Sequence, residues 1–193
     1  MPMSWFVVVL LAAALVTLIY GVMVYNSLVT IKHNVSKAWA NLDVLLKQRH
    51  DELPKLVEVC KQYRQFEQDT LTKVIEARSR VFAASQQQNM PALGQAETQL
   101  RLGVANLFAV AEAYPDLKTN EQFLNLEARI SALENAIADR REFYNESVNI
   151  NNVRIEQFPD GVVARMFDFP PRHLLEFQAA EKADVDVKQL FAA

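Results

Sequence analysis

The stretch WFVVVLLAAALVTLIYGVMVY, from Trp5 to Tyr25, decides how the rest of the chain must be read. It carries no charge, and only Thr17 and Gly21 interrupt its apolar run. In hydrocarbon every backbone N–H and C=O must find its partner within the segment, so such a run forms a helix. Roughly 20 residues rising about 1.5 Å each reach ~30 Å, the thickness of a bilayer core. The segment therefore reads as a transmembrane helix over residues 5–25, with a short N-terminal segment, 1–4, before it. Trp5 and Tyr25 mark the two ends of the anchor, where amphipathic rings prefer the headgroup level.

A cleaved secretory signal has a basic start, a shorter apolar core and small residues at its cleavage site. Here residues 1–4 hold no Lys or Arg, and the run ends in VMVYNS, with large residues where small ones are needed. The expectation is a retained, single-pass anchor. Lys32 and Lys37 follow it closely, so the positive-inside rule puts the N-terminus outside and the large domain in the cytosol. The lone Cys60 agrees with a reducing compartment. Within the span, Ala13, Thr17 and Gly21 recur every four residues and share one face. Small residues so spaced let two helices approach closely, which makes this a packing face for self-association.

Beyond the anchor the chain is long enough for one domain with its own core. The formal charge is −3 and no long basic run appears, which argues against a nucleic-acid partner. Four glycines, at 21, 94, 103 and 161, are too scattered to cradle a phosphate. The prolines, at 2, 54, 91, 115, 159, 170 and 171, punctuate long proline-free stretches. That pattern predicts helices.

Residues 26–50 carry Leu28, Ile31, Val35, Ala38, Leu42 and Leu45 at steps of three and four, a stripe with coiled-coil spacing that runs on from the anchor. At RHDELP (49–54) the expectation is a break or sharp kink, with Asp51 capping a new helix and Pro54 in its first turn. From 54 to about 86 the stripe resumes as Leu56, Cys60, Tyr63, Val74, Ala77, Val81 and Ala84. Residues 85–90 form a polar connector and Pro91 opens the next helix, striped by Leu93, Ala96, Leu100, Val104, Leu107 and Ala111. After Tyr114-Pro115, Thr119 and Gln122 read as a capping box. The longest stripe follows, with Phe123, Leu126, Ile130, Leu133, Ile137, Tyr144, Val148, Ile155 and Phe158, closed by Pro159. Short connectors make neighbouring helices antiparallel. The expected class is thus all-α: a transmembrane helix followed by an up-down four-helix bundle over 26–159. Residues 160–193 read as an amphipathic segment and a weakly ordered C-terminal tail.

The succession YNSLVTIKHNVSKAWANLDVLLKQRHDELPKLVEVCKQY (25–63), EARSR (76–80) and YNESVNINNVRIEQFP (144–159) resembles the LemA family. The order and spacing of these three segments carry the resemblance, which covers roughly residues 5–170. It implies a bacterial protein with one N-terminal transmembrane helix and a cytosolic antiparallel four-helix bundle, in the cytoplasmic (inner) membrane. It implies no particular biochemical activity. GVVARMFDFPPR (161–172) is more charged than the glycine-rich apolar segment common in the family.

Candidate chemistry is sparse. No Glu is followed three residues later by His, so the helical di-iron motif is missing, and His33, His50 and His173 with one cysteine make no zinc site. No catalytic residue, metal site or cofactor is expected. The alternative to a pure interaction module is a metal-assisted enzyme or ligand sensor with an acidic site near His50, Asp51 and Glu52, with Glu58 close by. Glu76, Arg78 and Arg80 are expected to pair across helices with Arg140, Arg141 or Glu142. Trp39 is expected to anchor two helices to each other, and Asn145, Asn149, Asn151 and Asn152 need a reason to sit on a helix. Finally, Val162, Val163, Arg165, Met166, Phe167, Phe169 and Arg172 form a short apolar segment edged with cations. It suits either a membrane interface or a cap on the bundle's open end. The expected function is a membrane-tethered scaffold working through self-association or through other membrane-associated proteins, with any small-molecule ligand unknown.

Overall fold

A computed structural model describes residues 3–63 and 66–176, with side chains from residue 5 onward. The elements are α1 (Met3–Lys61), α2 (Gln68–Gln86), α3 (Met90–Ala111), α4 (Pro115–Lys118), α5 (Glu121–Glu156) and α6 (Asp160–Met166). Among the described residues there is no strand. The last seventeen residues, most of the tail expected to be weakly ordered, lie outside the described residues.

The first element departs from expectation. α1 runs unbroken for 59 residues, with Pro54 inside it. Proline has no N–H, so the carbonyl of His50, four residues earlier, loses its helical partner. Arg78 of α2 supplies the replacement, donating from Nε to His50 O at 2.8 Å. The helix therefore passes through the proline, and Asp51 sits mid-helix on the exposed face rather than capping a new one. The real interruption comes later, between Lys61 and Gln68. There the Tyr63 hydroxyl donates to Asp116 O and accepts from Asn120 Nδ2, while Phe66 packs its ring on Tyr114.

The other helix ends follow local chemistry. Gln88 adopts φ 50°, and Gln88 N and Asn89 N donate to Ser85 O and Ala84 O, closing α2 with the left-handed turn that usually takes glycine. Asn89 then caps α3 through Ala92 N, and Pro91 lies in its first turn. The connector is thus narrower than expected, since Ser85 and Gln86 still belong to α2 and Met90 to α3. At the start of α5 the cap is Asn120, whose Oδ1 accepts from Gln122 N and Phe123 N at 2.9 and 3.1 Å. Thr119 instead turns back to Pro115 O and Asp116 O, so the expected Thr119–Gln122 box does not form.

The chain divides into two compact units. One joins residues up to Asn41 with Glu142–Leu174; the other joins Leu42–Arg141 with the chain from Leu175. In the second unit the core is built from Leu42, Leu46, Leu53, Leu56 and Cys60 of α1, Leu71, Val74 and Val81 of α2, Leu93, Leu100, Val104 and Leu107 of α3, and Phe123, Ile130 and Ile137 of α5. The buried stripe takes Leu46 in place of the expected Leu45, which is half-buried. Leu175 is buried here too, and the chain crosses α3 so closely that a Cβ on Gly94 would lie 1.9 Å from Glu176 O. Only glycine allows that crossing.

In the first unit Trp39 meets Tyr144 edge-on at 5.8 Å between centroids, so it does tie α1 to α5. The opening residues of α1 form a helix long and apolar enough to cross a membrane. From Trp5 to Tyr20 every side chain in this run is exposed.

Candidate functional site

Two places gather polar chemistry. The first lies in the second unit. Arg49 is in phase with the buried stripe of α1, one step past Leu46, and Glu97 is in phase with Leu93 and Leu100 of α3. Arg49 Nη2 and Glu97 Oε1 meet at 2.5 Å, and each side chain is only 2% exposed. Glu134 of α5 joins them. Burial pushes its carboxyl above the usual range and Glu97 adds to that, while Arg49 and Arg101 oppose it. Its Oε1 is buried without a hydrogen-bond partner, as is Arg49 Nε. A charge pair so enclosed reaches no substrate. It can fix which helix faces which, because any other register would leave one charge buried alone.

The residues of the alternative acidic site do not converge. His50 stacks on Phe82 at 4.7 Å, 28° between planes, and its Nε2 lies 2.7 Å from Arg78 Nη2. Because the guanidinium can only donate, Nε2 accepts and the ring is neutral. Burial, with the Arg78 charge, holds its pKa below the ordinary histidine value against the opposing pull of Asp51. Glu52 is committed elsewhere, accepting from Lys55 at 3.1 Å and Arg129 at 2.5 Å. Residues two apart on a helix point to opposite sides. Among the described residues no three His, Cys, Asp or Glu side chains group to hold a metal.

The expected ion-pair network also takes different partners. Arg78 serves His50, whereas Arg80 pairs with Glu76 of its own helix and with Gln99 of α3. An open cleft of about 450 Å³ lies between α2 and α3, lined by Lys73, Glu76, Arg80 and Gln99 among others. Its charges are already paired with each other or with neighbours such as Asp69.

The second place is the end of the first unit. Val24, Leu28 and Ala164 form a small core with Ile155, Val163 and Phe169 packed against it. Tyr25 meets the rings of Phe167 and Phe169 at 4.8 and 5.9 Å, and Lys32 Nζ lies 6.0 Å from the Phe169 ring centre. Asp160 is buried against Arg154 at 2.7 Å, and Arg154 also donates to Ser27 Oγ. A Cβ on Gly161 would lie 2.9 Å from Ile155 O, so α6 begins tight against the end of α5.

The asparagine run explains part of this docking. Asn152 both donates to Arg172 O and accepts from Arg172 N at 2.9 Å, clamping the backbone of the segment that follows α6. Asn151 is buried, and Tyr144 donates to His173 O nearby. Spacing alone could not reveal that clamp, because its partner is backbone. Phe158, by contrast, was expected within the stripe and is 88% exposed.

The LemA family model matches residues 38–189 of this chain. Protein LemA of Metamycoplasma hominis is 26% identical over 165 residues, covering 86% of this chain and 74% of that protein. Two magnetosome proteins of Paramagnetospirillum magneticum, MamQ 1 and MamQ 2, are each 21% identical over 190 residues, covering 86% of this chain and 70% of theirs.

Proposed function

We propose, from the premise that this chain belongs to the LemA family, that it is a non-enzymatic, membrane-tethered helical module that works by associating with itself and with other membrane-associated proteins. One observation carries this reading. α1 is a single helix whose first part is apolar and exposed and whose later part supplies buried core residues. Within the first unit the apolar run and the buried Leu28, Val35 and Ala38 belong to one helix, so a change of pairing in the anchor is felt directly by the residues packed there.

The rest of the proposed arrangement follows the sequence. Residues 5–25 span the bacterial inner membrane once, with the N-terminus outside, and the helices after them form an antiparallel four-helix bundle in the cytosol. Self-association runs through Ala13, Thr17 and Gly21. Thr17 Oγ1 donates to Ala13 O at 2.9 Å, so the hydroxyl is satisfied within its own helix. A Cβ added at Gly21 would meet nothing within 4 Å, so the position opens onto free space where a side chain would start. Gly21→Leu should therefore reduce crosslinked dimer of the full-length protein in membranes while its melting temperature stays put. Unchanged crosslinking would remove this face from the proposal.

A further inference from the structure

α6 has two faces. Val163 and Ala164 turn toward Val24 and Leu28 of α1, and the chain leaves the helix through Asp168 at φ 53°, with Phe169 N donating to Ala164 O. That turn brings Phe169 back onto the same small core. Among the described residues, the opposite side is largely uncovered. Val162 and Met166, one helical turn apart, are 55% and 72% exposed; Phe167 is 54% exposed despite its contact with Tyr25, and Phe158, four residues before Val162, is 88% exposed. Exposed apolar groups of this size, gathered on so short a piece of chain, mark a surface that something else covers.

Position identifies the occupant. The inner face of α6 docks on Val24 and Leu28, where the apolar run of α1 ends, and Phe167, just past α6, touches Tyr25 with one side of its ring. Val22 and Met23 of that run are themselves 53% and 65% exposed. The exposed side of α6 is therefore continuous with the surface of the anchor. Lys32, Arg165 and Arg172 are exposed around it, against the carboxylates of Glu156 and Asp168, while Asp160 is buried on Arg154. We propose that α6 is a membrane-interface helix: Phe158, Val162, Met166 and Phe167 sink into the headgroup–acyl boundary beside the end of the span, and Arg165 and Lys32 meet lipid phosphates. Rings and aliphatic side chains on a short helix with cations at its edge suit that depth. The inference rests on the anchored reading and adds a second contact with the bilayer, from the far end of the sequence. With both contacts the exit of α1 is held at fixed depth.

The test uses the full-length protein in vesicles of phosphatidylcholine and phosphatidylglycerol. Single cysteines at Val162, Met166, Leu11 and Asn41 would carry an environment-sensitive fluorophore; native Cys60 is buried and stays unlabelled. Labels at Val162 and Met166 should emit blue-shifted light, be quenched by lipids spin-labelled near the headgroup and lose quenching by aqueous iodide. Asn41, exposed and some sixteen residues past Tyr25, should show the reverse. Iodide quenching at Met166 equal to that at Asn41, with Leu11 quenched by lipid, would overturn the α6 proposal and leave the anchor standing. Iodide access at Leu11 would overturn both. Shielding of Met166 from lipid and iodide alike would also overturn it, showing that protein covers this face.

Discussion

Pro54 shows how much one side chain from another helix can decide. The sequence around it, RHDELP, carries every local signal of a helix start, and local signals were wrong. What they cannot contain is Arg78, whose Nε takes over the carbonyl that proline leaves bare. The bond is part-buried, and losing a hydrogen bond of this kind costs roughly 0.5–1.5 kcal/mol, so removing its donor should be felt. Arg78→Met is expected to lower stability by about that amount. In a Pro54→Ala background residue 54 regains an N–H for His50 O, and the same substitution should cost roughly 1 kcal/mol less. Unfolding of the four proteins in detergent measures the cycle. Strictly additive effects would mean that Arg78 acts through packing or its contact to His50 Nε2 alone. The buried pair of Arg49 and Glu97 was, by contrast, legible in principle. Both residues fall in phase with leucines, a placement that a search for chemistry passes over because it looks like a break in the stripe.

At the scale of elements, most helices and their buried faces could be read from period and proline spacing, since burial at every third or fourth residue leaves its mark directly in the sequence. Leu93, Leu100, Val104 and Leu107 of α3 are buried as the stripe requires. The ends were harder, because a cap depends on which of several polar residues the backbone turns toward. Asn120 won over Thr119 since Thr119 still belongs to the close of α4. Gln88 gave no signal at all: glutamine is not a residue that favours positive φ. The turn nonetheless needs φ 50° there to bring Asn89 into place as the cap of α3. Gln88→Gly should therefore stabilise the protein by about 1 kcal/mol, the approximate penalty of a left-handed conformation for a residue with a Cβ. Gln88→Ala keeps the Cβ and should bring no gain. An equal gain from both would mean that the side chain, not the backbone, is what strains this turn.

For the molecule as a whole, the proposed anchor makes a further claim, about the side of the membrane on which the later helices stand. The sequence answers with two cations, Lys32 and Lys37, both exposed on α1. A cysteine reporter can test that answer, and the structure says where to put it. Gln88 would be a poor choice because of its positive φ; Gln87 is exposed in an ordinary helical conformation at the end of α2. Native Cys60 can remain. It is buried in the core, and burial pushes its thiol up to about 12, so almost no thiolate exists near neutral pH to react. With Gln87→Cys, a membrane-impermeant maleimide should label the protein only after cells are permeabilised, and the unsubstituted protein should stay unlabelled throughout. Labelling in intact cells would put the domain outside. It would also mean that two lysines just past the span are too weak a bias to set the direction in which this anchor inserts.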